Sequence, residues 1–184
     1  MSLERKHINA LLQQCLNGDA SAQMEVYDRY YQGMYNVAYR IVKQPALAED
    51  VMQESFLSAF TKLESFKGEV SFGAWLKRIV INNSIQEYRK MIKKQEVALD
   101  PVLYKVEDNE GYVADPGDVD LKAQYVIKTM NLLNEKYRLA LSLYLIEGYD
   151  YEEISDIMQL SYANCRTIIS RAKSSLRQKL TAVI

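Results

Sequence analysis

Arg166, Thr167, Ser170, Arg171, Ser174 and Arg177 fall on one face of any helix that contains them. Arginine grips a guanine edge through two hydrogen bonds or neutralises a phosphate, and the hydroxyls bond phosphate oxygens. The chemistry these types offer is recognition of a polyanion, and the plain alternative is a solvated basic helix. A second set, Asp50, Gln53, Glu54 and Leu57, follows an i, i+3, i+4, i+7 rule. It lies opposite the apolar stripe Ala48, Met52, Phe56, Ala59 and Leu63. An acidic outward face is ordinarily solvated, but an outward Leu within it hints at a docking surface.

Bond-making chemistry has little to stand on. The only histidine is His7, and no glycine-rich phosphate loop or nucleophile–base constellation occurs, so an enzyme, a cofactor and a small-molecule substrate are not expected. Cys15 and Cys165 lie far apart on apolar sides of helical patterns, which favours buried free thiols over a disulfide or a metal site. Without a hydrophobic leader or an 18-residue apolar run, a cytoplasmic location is expected.

The elements that must position these residues read as helical throughout, so the expected fold class is all-α. Ile8, Leu11, Leu12, Cys15 and Leu16 form a first stripe, closed by Gly18. Asp19 caps a second helix burying Tyr27, Tyr30, Tyr31, Met34, Ala38 and Ile41, broken at Gln44-Pro45. A third helix runs roughly from Ala46 to Leu63. Ser71 caps a fourth, reaching about Lys93, with Phe72, Trp75, Leu76 and Ile79 inward and Arg78, Asn82, Gln86 and Arg89 as a polar stripe.

Residues 95–118 then lose period and gather acids, Pro101, Gly111, Pro116 and Gly117, a composition that predicts a flexible linker. Two small helical domains are therefore expected, 1–94 and 119–184. In the second, Leu121, Val126, Met130 and Leu133 mark one helix, and Asn134 caps another that carries Ala140, Leu141 and Tyr144 and ends at Gly148. Asp150 to Glu153 opens a short helix as a capping box, with Ile154, Ile157 and Met158 inward. After "QLSYAN" a last helix buries Cys165, Ile168, Ile169, Ala172, Leu176 and Leu180. Two short amphipathic helices across a tight turn predict a helix-turn-helix.

Charge follows the same division. The balance of 23 basic and 24 acidic residues hides two basic segments, within 67–94 and 163–184, on either side of an acidic one. A duplex binder usually carries net positive charge, so this chain needs help to hold DNA at physiological salt.

Three stretches, "AEDVMQESF", "SFGAWLKRIVINN" and "GYDYEEISDIMQLSYANCRTIISRAK", in this order and across an acidic linker, resemble the extracytoplasmic-function sigma factors of bacterial RNA polymerase. The resemblance spans about residues 8 to 181. It implies that Asp50, Gln53, Glu54 and Leu57 dock on the clamp coiled coil in the largest catalytic subunit of core RNA polymerase. It implies that the loop Phe66 to Ser71, with Lys67, and the stripe Arg78, Asn82, Gln86 and Arg89 meet the −10 promoter element as it melts. Asn82 stands where the family often has a base-contacting Asn. Arg166, Thr167, Ser170, Arg171, Ser174 and Arg177 then read the −35 element. Promoter DNA, core polymerase and a cognate anti-sigma factor are the implied partners.

The chain departs from the family's pattern at Ile81, at Gln86 (often Asp) and at Ile168 (often an arginine on DNA). Its Ala163-Asn164-Cys165-Arg166-Thr167-Ile168 replaces a usual Gly-Thr-Val-Lys-Ser-Arg. The rival reading is a free-standing helix-turn-helix regulator with an N-terminal sensor or dimerisation domain.

Overall fold

A computed structural model describes residues 3–97 and 121–181 and divides the chain into two compact units, residues 1–112 and 113–184. Every regular element among the described residues is helical. The acidic stretch read as a linker lies outside the described residues from 98 to 120.

The first unit holds α1 (Leu3–Leu16), α2 (Ala20–Val42), α3 (Pro45–Thr61), a 3-10 turn (Leu63–Ser65) and α4 (Phe72–Val97). Local chemistry sets the boundaries. Gly18 takes φ +82° after α1, a conformation that costs glycine nothing. Asp19 accepts the Ser21 and Ala22 amides at 2.8 and 3.2 Å. Lys43 turns left-handed at φ 57°, and Pro45 opens α3 at a position where its missing N–H is no loss. Ser71 caps α4 by accepting the Ala74 amide at 3.2 Å.

α2 packs against α1, α3 and α4. It runs alongside α4 in the same direction, from Tyr30 against Phe72 (ring centres 5.5 Å apart) to Gln44 Nε2 3.0 Å from the Met91 sulfur. Val26, Ile41, Val51, Phe56, Leu76, Val80 and Ile81 are among the buried core residues. Polar groups enter it only when paired. Ser55 Oγ donates to the Val51 carbonyl (2.6 Å) and accepts from Asn83 Nδ2 (3.0 Å), tying α3 to α4.

Several inward assignments shift. Leu16 and Tyr31 are 40% and 41% exposed, while Trp75 and Ile79 are half-buried, and the deep side of α4 is Phe72, Leu76, Val80, Ile81, Ser84 and Ile85. A stripe built on i, i+4 steps drifts about 40° per step around a helix. Tyr31 therefore stands further from the core than Tyr27, one turn before it. α4 also continues through Val97, past the expected Lys93, since no breaking residue intervenes.

The second unit holds α5 (Leu121–Asn131), α6 (Glu135–Leu141), a π turn (Ser142–Ile146), α7 (Tyr151–Met158) and α8 (Tyr162–Thr181). Asn134 accepts the Tyr137 amide at 2.9 Å. Asp150 and Glu153 form the expected reciprocal box, at 2.8 and 3.1 Å. α8 begins at Tyr162 rather than after Asn164, because the Ser161 hydroxyl caps it by accepting the Asn164 amide (3.3 Å). Its core face is Cys165, Ile169, Ala172 and Leu176. Both cysteines are buried and free, and burial pushes their thiols above the ordinary range, with the Asp19 charge adding to it at Cys15.

Candidate functional site

On α3, Asp50, Gln53, Glu54 and Leu57 are all exposed, and Leu57 is 68% open to solvent. Covering a leucine fully is worth about 1.5–3 kcal/mol, more than a typical surface ion pair. The face therefore has an exposed apolar centre with carboxylates beside it. Gln53 donates to Glu49 at 3.3 Å. Glu49 in turn raises the Tyr27 phenol, after burial as the larger cause. Glu49 extends the face by one i, i+4 step from Gln53, whereas the sequence pattern begins the face one residue later, at Asp50.

On α4, Arg78, Asn82 and Gln86 are exposed and Arg89 is half-buried, all on one stripe. Ile81 is fully buried and Asn83 is bonded to Ser55, so both neighbours of Asn82 are fixed inward and Asn82 faces out. In the preceding loop Lys67 and Ser71 are exposed, and Gly68 takes φ +72°. Phe66 is half-buried, its ring 5.7 Å from Phe72 and 5.3 Å from Trp75. It forms a wall of an aromatic cluster. Gly73 supports that cluster, because a Cβ there would stand 3.0 Å from the Tyr30 ring.

On α8, Arg166, Thr167, Ser170, Arg171, Ser174 and Arg177 are all exposed. The first four, with Ala163 and Tyr151 from α7, line one open concavity. Thr167 spends its hydroxyl proton on the Ala163 carbonyl (2.9 Å), which leaves its oxygen as an acceptor. Ile168 is half-buried and offers nothing polar to the face. Tyr151 was missed as a lining residue, since helical spacing within α8 cannot reveal a side chain from α7.

Among the described residues, no group of three or more His, Cys, Asp or Glu is placed to hold a metal, and no helix is long and apolar enough to cross a membrane.

Residues 26–93 match the family model for Sigma-70 region 2, and residues 123–176 match that for Sigma-70, region 4. The ECF RNA polymerase sigma factor SigW of Bacillus subtilis is 29% identical over 182 residues, covering 94% of this chain and 96% of SigW. The ECF RNA polymerase sigma-E factor of Haemophilus influenzae is 30% identical over 178 residues, covering 93% and 94%. Among solved structures, the sigma factor RpoE of Bartonella quintana, in complex with the anti-sigma factor NepR, matches with a TM-score of 0.58 at 25% identity, over 86% of this chain and 96% of that one. CnrH, solved with the cytosolic domain of CnrY, shares the fold at a TM-score of 0.52 and 22% identity, over 94% of this chain and 96% of that one. With both sigma regions present in order and relatives matched along nearly their full length, this chain belongs to the ECF RNA polymerase sigma factors.

Proposed function

We propose that the chain docks on core RNA polymerase through Asp50, Gln53, Glu54 and Leu57 and directs promoter-specific initiation. In this reading the loop 66–71 and the Arg78–Arg89 stripe engage the −10 element as it melts. The arginine face of α8 reads the −35 element as duplex. The observation that carries it is three outward faces of different chemistry on one chain within two sigma regions: acidic with an apolar centre on α3, amide-and-arginine on α4, and arginine-and-hydroxyl on α8. A free-standing regulator uses only the last and leaves the first two without work.

The domain limits that go with this reading are 1–94 and 119–184, with 95–118 as the connection. The factor is non-enzymatic, needs no cofactor, and works in the cytoplasm, where the polymerase and DNA are. An anti-sigma factor is a further partner, supported by the RpoE relative having been solved with one.

Docking is tested by reversing charge on α3. Asp50→Lys with Glu54→Lys should abolish co-purification with core polymerase while helical circular dichroism stays unchanged, because both positions face outward. A double variant that binds core as tightly as the wild type removes the α3 face from the proposal.

A further inference from the structure

The basic side chains of α8 do not all join its outward face. Lys173 is half-buried, with its ammonium 3.9 Å from the centre of the Tyr144 ring and 6.0 Å from that of Tyr151. Tyr144 stacks on Tyr151 at 5.2 Å with the planes 8° apart, and Tyr151 meets Tyr162 edge to face at 6.4 Å. Tyr162 opens α8 and Lys173 stands about three turns further on. The four side chains thus link the start and the middle of α8 to the start of α7. Tyr144 lies inside the π turn, closed by the Glu147 amide on the Ser142 carbonyl at 3.0 Å, where an extra residue per turn re-aims side chains. Hydrogen bonding with Tyr151, then with Lys173, holds the Tyr144 phenol below the ordinary tyrosine range, consistent with a cation at that ring.

We infer that Lys173 is a positioning residue for −35 recognition. Its ammonium pins the Tyr144–Tyr151 pair, of which Tyr151 lines the concavity carrying Arg166 and Arg171, and it makes no phosphate contact of its own. The inference rests on α8 being the helix that reads the −35 element. A cation held over two rings is committed to packing inside the protein, and its loss has different consequences from the loss of a phosphate contact. The two kinds of contact also differ in what salt does. A phosphate contact releases counterions and steepens the salt dependence, whereas a contact internal to the protein does not.

The test uses the full chain with core polymerase on duplex fragments of a promoter mapped by in vitro transcription, with closed-complex affinity measured across a salt series. Lys173→Met should weaken binding by about fivefold, the scale of a lost cation–π contact, with the slope of log affinity against log salt unchanged. Lys173→Arg should recover wild-type affinity to within about twofold, since a guanidinium also stacks on aromatic faces. Tyr144→Leu should cost as much as Lys173→Met, and the double variant no more than either.

A slope smaller by about one for Lys173→Met would overturn the inference. So would full affinity of Lys173→Met, or an undiminished further loss in the Tyr144→Leu background. Arg171→Ala on the same fragments separates this inference from the reading beneath it. If Arg171→Ala leaves affinity and sequence preference intact, α8 does not read the DNA and both fall. If it weakens binding while Lys173 behaves as a phosphate contact, only the positioning role falls.

Discussion

Arg166 and Arg171 both line the concavity on α8, and both are exposed, so neither has a structural duty in the core. Arg166→Ala and Arg171→Ala should each weaken closed-complex formation by about 1–3 kcal/mol if the guanidinium holds a base in two hydrogen bonds. A phosphate-only contact should instead lower binding almost equally on all sequences and flatten the salt dependence. Binding of each variant to matched and mismatched −35 duplexes distinguishes the two. Asn82 is held outward by Ile81 and Asn83 on either side, and its expected work comes later in initiation. Asn82→Ala should leave the closed complex nearly unchanged and reduce strand opening by about 0.5–1.5 kcal/mol, the net worth of a hydrogen bond. Permanganate footprinting on duplex and on a pre-melted bubble template checks this, because the bubble should rescue the defect. Equal opening of duplex promoter by variant and wild type would leave Asn82 an ordinary surface residue.

Elements whose ends rest on local chemistry were legible from the sequence. Asp19, Ser71, Asn134 and Asp150 each cap the helix that their type and position announce. A cap needs only a side-chain oxygen and the next three residues, all visible in sequence. α7 leans heavily on its cap, having only eight residues to propagate from. Asp150→Ala should therefore cost about 0.5–2 kcal/mol and lower the melting temperature of a fragment spanning the second unit. An unchanged melt would mean that packing of Ile154 and Ser155 alone holds α7.

What the sequence did not disclose depended on tertiary neighbours. The π turn at Ser142–Ile146 has no residue type that marks it, and Tyr144, which stacks on Tyr151, lies within it. Trp75 reads as core from its apolar spacing, yet it is half-buried, with Phe66 from the preceding loop among its ring neighbours. Likewise Phe72 and Trp75, the ring partners of Phe66, come from the far side of a turn. The outward residues named on α3 and α8 were legible, because an amphipathic helix declares its solvent side by exclusion, whereas Glu49 and Tyr151 beside them were not.

At the scale of the whole chain, charge decides how the parts are used. The basic segments 67–94 and 163–184 are offset by acid elsewhere, to a net charge of −1. Counterion release from α8 alone gives a duplex affinity that physiological salt erodes. Docking on polymerase converts DNA contact into a local event at high effective concentration, so weak modules suffice. Specificity should then belong to the complex and not to the free chain. The most direct test is transcription by purified core polymerase on a genomic library, with start sites mapped with and without this protein. The account predicts discrete new starts that require the protein and vanish with the Asp50→Lys, Glu54→Lys variant. It is contradicted if the free chain binds particular duplexes tightly on its own and adds no start site to core polymerase.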